Sequence, residues 1–191
     1  FYHYPMHKQT KKVLNIGIPK IIRESFHSNM RLLKSRLNGL SVGIFSAEVG
    51  ARKWMLADKN ESYIIWKTGK NKNDEILYIH DGELHNYFGF NRKLNKARIL
   101  WNFGCYQTAN KIVTEINKIY EIKRIKSADH IYIYTSNGSI NEVKKIHNLK
   151  IKNLTLLNPL EVLNKSSDKK YNKYSTLALA ETGNAFRGID V

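Results

Sequence analysis

Residues 75–90 read EILYIHDGELHNYFGF. Two runs rich in Ile, Tyr and Phe, Glu75 to His80 and Glu83 to Phe90, flank Asp81-Gly82, a pair that tolerates the positive φ angles of a tight hairpin turn. Just upstream, Glu61 to Lys67 is a third run rich in Ile, Tyr and Trp, and the polar link Thr68 to Asp74 joins it to the second. The whole stretch therefore predicts three consecutive antiparallel strands.

Towards the N-terminus the period changes. From Pro19 to Leu37 apolar residues recur at Ile22, Phe26, Met30, Leu33 and Leu37. Steps of three and four predict one apolar face of a helix, with Pro19 at its start and Asn38-Gly39 closing it. Its opposite face carries Lys20, Arg23, Arg31, Lys34 and Arg36. Ser41 to Ser46 reads as a strand and Ala47 to Ala57 as a short helix.

Towards the C-terminus the character shifts near residue 96. Ala97 to Phe103 is an almost continuous apolar run, the pattern of a strand buried on both faces. A helical pattern follows from about Thr108 to Lys126, then a strand at His130 to Thr135, a turn at Asn137-Gly138, a helix at Ile140 to His147 and a strand at Leu154 to Leu157. Pro159 to Leu163 begins another helix, 165–174 is a polar connector, and Ser175 to Ala180 is a last apolar run. Strands alternating with helices predict βαβ units. The expected class is α/β: a mixed sheet, antiparallel hairpins in the first half and parallel strands in the second. We expect one domain over 1–191, with a sub-division near residue 95.

Charge narrows the partner. Thirty-two Lys and Arg against sixteen Asp and Glu leave a net charge of +16 over 191 residues, spread along the chain. Such a charge repels itself in the compact state and concentrates polyanions, which points to nucleic acid. The phosphate-contacting residues expected are Arg31, Lys34 and Arg36, Arg92 and Lys93, and Lys123, Arg124 and Lys126. Trp54, Trp66, Tyr87, Tyr106, Tyr171 and Tyr174 lie close to these charges in sequence, where rings can stack bases. Cys105 is the single cysteine, so no internal disulfide forms, which fits a reducing, cytoplasmic compartment. No run approaches the roughly 20 apolar residues of a membrane helix. The chain begins at Phe1 rather than Met and is expected to be a fragment of a longer precursor.

Chemistry-bearing residues are fewer. His80 and Cys105 each end a hydrophobic strand run, where an imidazole can take a thiol proton and the thiolate attacks. These strand-His and strand-Gly-Cys blocks resemble those of caspase-like cysteine peptidases, although Asp81 interrupts the His-Gly pair. The resemblance implies a cysteine hydrolase with a His80/Cys105 dyad. His80, Asp81, Glu83 and His85 lie within six residues, and a nuclease reading would add a divalent metal ion or His-with-Lys acid–base chemistry. Glu121-Ile122-Lys123 is half of a metal-nuclease motif but falls in a helical pattern. The early His3, the Gly43-Ile44-Phe45-Ser46 run and Glu75 or Glu83 resemble ADP-ribosyltransferase-type NAD folds, which implies an NAD-using toxin domain. No phosphate-binding glycine loop, zinc-finger pattern or serine-hydrolase elbow is present. The leading expectation is a nucleic-acid-binding or -processing protein, by analogy a toxin-like or mobile-element nuclease. The alternatives are the cysteine hydrolase and, third, the NAD transferase.

Overall fold

The computed structural model describes residues 2–6, 13–34, 43–54, 61–93, 96–135 and 140–157. Its elements are β1 (Tyr2–Pro5), β2 (Val13–Ile16), α1 (Lys20–Leu32), α2 (Gly43–Trp54), β3 (Tyr63–Thr68), β4 (Asn73–His80), β5 (Glu83–Lys93), β6 (Lys96–Gly104), α3 (Tyr106–Asn117), α4 (Ile119–Ile122), β7 (His130–Thr135), α5 (Ile140–His147) and β8 (Leu154–Leu156). Six strands form one sheet in the order β6-β5-β4-β3-β7-β8, and β1 and β2 pair separately. β3 to β6 are an antiparallel meander, while β7 is parallel to β3 and β8 parallel to β7. The α/β class with a mixed sheet is thus as expected. The strands on either side of residue 95 pair directly with one another.

Alternation along the strands sorts side chains into two cores. Ile64, Trp66, Ile76, Tyr78, Phe88, Phe90, Ile131 and Ile133 pack with α3, α4 and α5 on one face. Tyr63, Ile65, Leu77, Ile79, Tyr132 and Tyr134 pack with α2 and with Met6 and Leu14 on the other. Asp81 and Gly82 both take positive φ, 50° and 75°, which is what the β4–β5 turn demands. At this turn Ile79 faces Leu84 but Tyr78 faces Asn86, so His85 is an extra, bulged residue.

Three local expectations are corrected. Gly43 to Ser46 is the first turn of α2 rather than a strand, and Ile44, Phe45, Ser46 and Ala47 are all buried in it. Ala97 to Phe103 lies in β6, an antiparallel edge strand, not a buried one. Ala97 and Ile99 pack on the α3 side, whereas Leu100, Trp101 and Phe103 are exposed. The long helix breaks at Lys118 and stops where Lys123 turns left-handed at φ 45°, so that Ile125 drops into the core. The first helix forms as α1, yet none of its thirteen residues is buried. The readings at Arg36, 137–138 and everything from 158 onward, including the 165–174 connector, lie outside the described residues.

Candidate functional site at one end of the sheet

Strand direction gathers polar residues at one end. β4 and β6 finish there, and β3, β5, β7 and β8 begin there. Ser62 precedes β3, His80 ends β4, His85 and Asn86 open β5, Cys105 follows β6 and caps α3, and Asp129 precedes β7.

Hydrogen bonds link these positions across the strands. The Asp129 Oδ2 accepts the Ser62 N–H at 2.9 Å, and the Ser62 N–H neighbour on the same residue, its hydroxyl, contacts His80 Nδ1. Tyr78 also hydrogen-bonds Ser62, and burial pushes its phenol up. The other ring nitrogen of His80, Nε2, lies 3.7 Å from Asp81 Oδ2. The His80 and His85 rings are 5.9 Å apart edge to face, and both pack against Tyr78, at 6.1 and 5.5 Å.

Asn86 is fully buried and sets the orientation of His85. Its Nδ2 donates to the Cys105 carbonyl at 2.8 Å and to Asn102 Oδ1 at 3.1 Å, so the Asn86 Oδ1 is the atom facing His85 Nδ1, 3.1 Å away. His85 Nδ1 must then carry the hydrogen, and Nε2 is the lone-pair nitrogen of the neutral ring. The bulge at His85 is what brings this imidazole to the His80 side of the sheet.

Cys105 is exposed and donates to Gln107 Oε1 at 3.1 Å. Thr108, through its backbone and hydroxyl, holds the thiol below its ordinary value. His80 and Cys105 sit at the same end of the sheet, but β5 stands between their strands. Two strand spacings amount to about 10 Å, and no hydrogen bond joins the pair. Among the described residues, no three His, Cys, Asp or Glu are grouped to hold a metal ion.

Two basic loops meet at the same end, beyond Asp129. The Lys152 N–H donates to the Lys123 carbonyl at 3.2 Å. Asn153 Nδ2 donates to the carbonyls of Ile125 and Ala128, each at 2.8 Å. These bonds pin Lys123, Arg124 and Lys126 beside Lys150 and Lys152. All five side chains are exposed, and none forms an ion pair among the described residues.

The other expected basic residues lie elsewhere. Arg31 is on α1 and Lys34 just past it, both exposed. Arg92 and Lys93 are at the opposite end of β5. There Arg92 Nε contacts Asp74 Oδ2 at 2.5 Å and its guanidinium lies 5.8 Å over the Trp66 ring. Trp66 is itself buried, its Nε1 donating to Asp74. Of the positions carried by the NAD-fold resemblance, Ser46 is helical and buried, and Glu75 accepts from Lys67 and Tyr87.

Sequence reasoning missed Ser62, Tyr78, Asn86, Asp129, Lys150 and Lys152. Strand pairing brings Ser62, Asn86 and Asp129 beside the histidines, and a loop hydrogen bond brings Lys152 and its neighbour Lys150 to Lys123. Tyr78 lies two residues before His80 on β4. No helix of the described residues is long and apolar enough to cross a membrane. No protein-family model matches this chain, and a search of curated proteins finds no significant match.

Proposed function

We propose that this protein binds nucleic acid through the loops carrying Lys123, Arg124, Lys126, Lys150 and Lys152, and cleaves it with His80 and His85 as the acid–base pair. The observation that carries this reading is the juxtaposition of an oriented two-imidazole pair with a basic patch that forms no ion pair among the described residues, at one end of one sheet. Cleaving a phosphodiester by attack of a hydroxyl or water needs one group to take the nucleophile's proton and another to give a proton to the leaving oxygen. Imidazole is the side chain that changes charge near neutral pH, so two of them supply both roles. The lone-pair Nε2 of His85 suits the base, and His80, held by Ser62, suits the acid. The five cations, which lie beyond Asp129 on the β7–β8 side of the histidines, neutralise phosphates on that side of the scissile bond.

Incubating labelled single- and double-stranded RNA and DNA with wild type, His80→Ala and His85→Ala tests the reading. Cleavage by wild type that each variant loses, while binding persists, supports it. Cleavage unaffected by both substitutions contradicts it. A second reading, a cysteine hydrolase, is favoured by the exposed Cys105 thiol that Thr108 holds low. Its signature is activity abolished by Cys105→Ala and retained in His80→Ala, since β5 separates those two residues.

A further inference from the structure

On the opposite face of the same strand ends, β5 and β6 carry three rings. Tyr87 and Trp101 are 4.7 Å apart at 73°, Tyr87 and Phe103 stack at 6.2 Å and 20°, and Trp101 and Phe103 are 5.7 Å apart. Trp101 is 37% and Phe103 48% exposed on an edge strand. The array is fixed rather than loose. The Tyr87 hydroxyl donates to Glu75 Oε2 at 3.0 Å, and Phe45 of α2 backs the Tyr87 ring edge-on at 5.2 Å. Gly89 faces Trp101 across the strands, and a Cβ there would come within 2.5 Å of the indole. A glycine inside a strand weakens it, so its use here trades backbone stability for a flat seat under Trp101.

Phe103 is two residues from Cys105, and Tyr87 two from His85, so the rings adjoin the rim that holds the two histidines. Rigid, half-exposed rings at the edge of the sheet opposite the β8 loops, with the two histidines on the strands between, match unpaired bases, whose π-faces stack whatever the sequence. A duplex keeps its bases stacked on one another and offers these rings nothing.

We propose that Tyr87, Trp101 and Phe103 form a stacking platform for unpaired bases, which makes single-stranded nucleic acid the substrate class of the His80/His85 site. This inference rests on the nucleic-acid reading above. The test uses the full chain and fluorescein-labelled 12-mers, one with bases, one abasic with the same phosphates, and one duplex, in RNA and DNA forms at 50 mM salt. Trp101→Ala and Trp101→Leu are compared with wild type, the leucine retaining an apolar cover over Gly89. Wild type is expected to prefer the base-bearing single strand, and both variants to lose roughly tenfold on it while keeping their affinity for the abasic strand. If wild type binds base-bearing and abasic strands equally and Trp101→Leu changes nothing, the platform is overturned and phosphate binding stands. If wild type binds neither strand, the underlying reading falls and takes the platform with it. Sedimentation of the same samples adds a further outcome: a dimer that Trp101→Leu dissolves would assign the rings to self-association and overturn the proposal.

Discussion

The two ends of the central sheet use similar residues in opposite ways. At the far end the polar groups are buried and mutually paired. Asp74, 1% exposed, accepts from Trp66, Gly69 and Arg92, and Thr68 and Thr135 exchange hydroxyl bonds with backbone carbonyls between β3 and β7. Burial pushes the Asp74 carboxyl up while Arg92 pulls it down, which is the balance of a closed structural pair. At the near end His80, His85 and Cys105 are partly or fully exposed, and five cations are unpaired among the described residues. A polar group enclosed by its partners holds a fold together. One oriented by its neighbours yet open to solvent can act on something else.

The comparison breaks if substitutions at the two ends have the same consequence. The largest effect is expected at His80. His80→Ala should lower cleavage by about 10²–10⁴-fold, the usual worth of a positioned acid or base, with the melting midpoint little changed. Arg92→Ala should do the reverse. It strands the Asp74 carboxylate in the core and should cost about 3–5 kcal/mol in chemical denaturation, with nucleic-acid affinity retained in the folded fraction.

Gly89→Ala sharpens the contrast between the two faces of β5. The added methyl must lift the Trp101 indole, which we expect to cost about 1–3 kcal/mol in stability and to raise tryptophan exposure to acrylamide quenching. The smallest effect concerns Cys105. Because Thr108 favours the thiolate, a larger fraction is ionised at pH 7, and iodoacetamide labelling should reach half its limiting rate below the usual thiol value of about 8.5. Thr108→Val should move that midpoint upward, and an unmoved midpoint would remove Thr108 as the cause.

The meander was legible because its signals are local: Asp81-Gly82 supplies the turn, and the alternating runs supply the strands. β7–α5–β8 was legible for the same reason. Periodicity failed where burial decides the outcome. Gly43 to Ser46 is small and apolar enough for either state, and packing of Ala47 and Ala51 against the sheet selects helix. Ala97 to Phe103 looked doubly buried because its outer ring residues cover Gly89 and Tyr87 rather than a second layer. α1 shows the limit of an amphipathic pattern, which states what a helix can bury but not that the same chain buries it.

The site was half legible. His80 and Cys105 were placed at strand ends by their runs, and they do share one end. Their separation was not legible, because it depends on β5 lying between β4 and β6. The role of Asn86 and the pairing of Lys123 with Lys152 are contacts across many residues, for which the sequence carries no local signal. The basic residues divided likewise: Arg92 turns inward to Asp74 only because β4 and β5 bring them together, while Lys123, Arg124 and Lys126 stay outside.

The most direct test of the account is a salt titration of binding. Five cations on a single strand imply a slope of about −3.5 in log affinity against log salt, or about 100-fold weaker binding at 200 than at 50 mM. The triple variant Lys123→Glu, Arg124→Glu, Lys126→Glu should lose most of that slope and most of the affinity at 50 mM, and its stability should be retained. A wild-type protein that fails to bind at 50 mM salt, or a triple variant that binds as well as wild type, would contradict the claim that this end of the sheet meets nucleic acid.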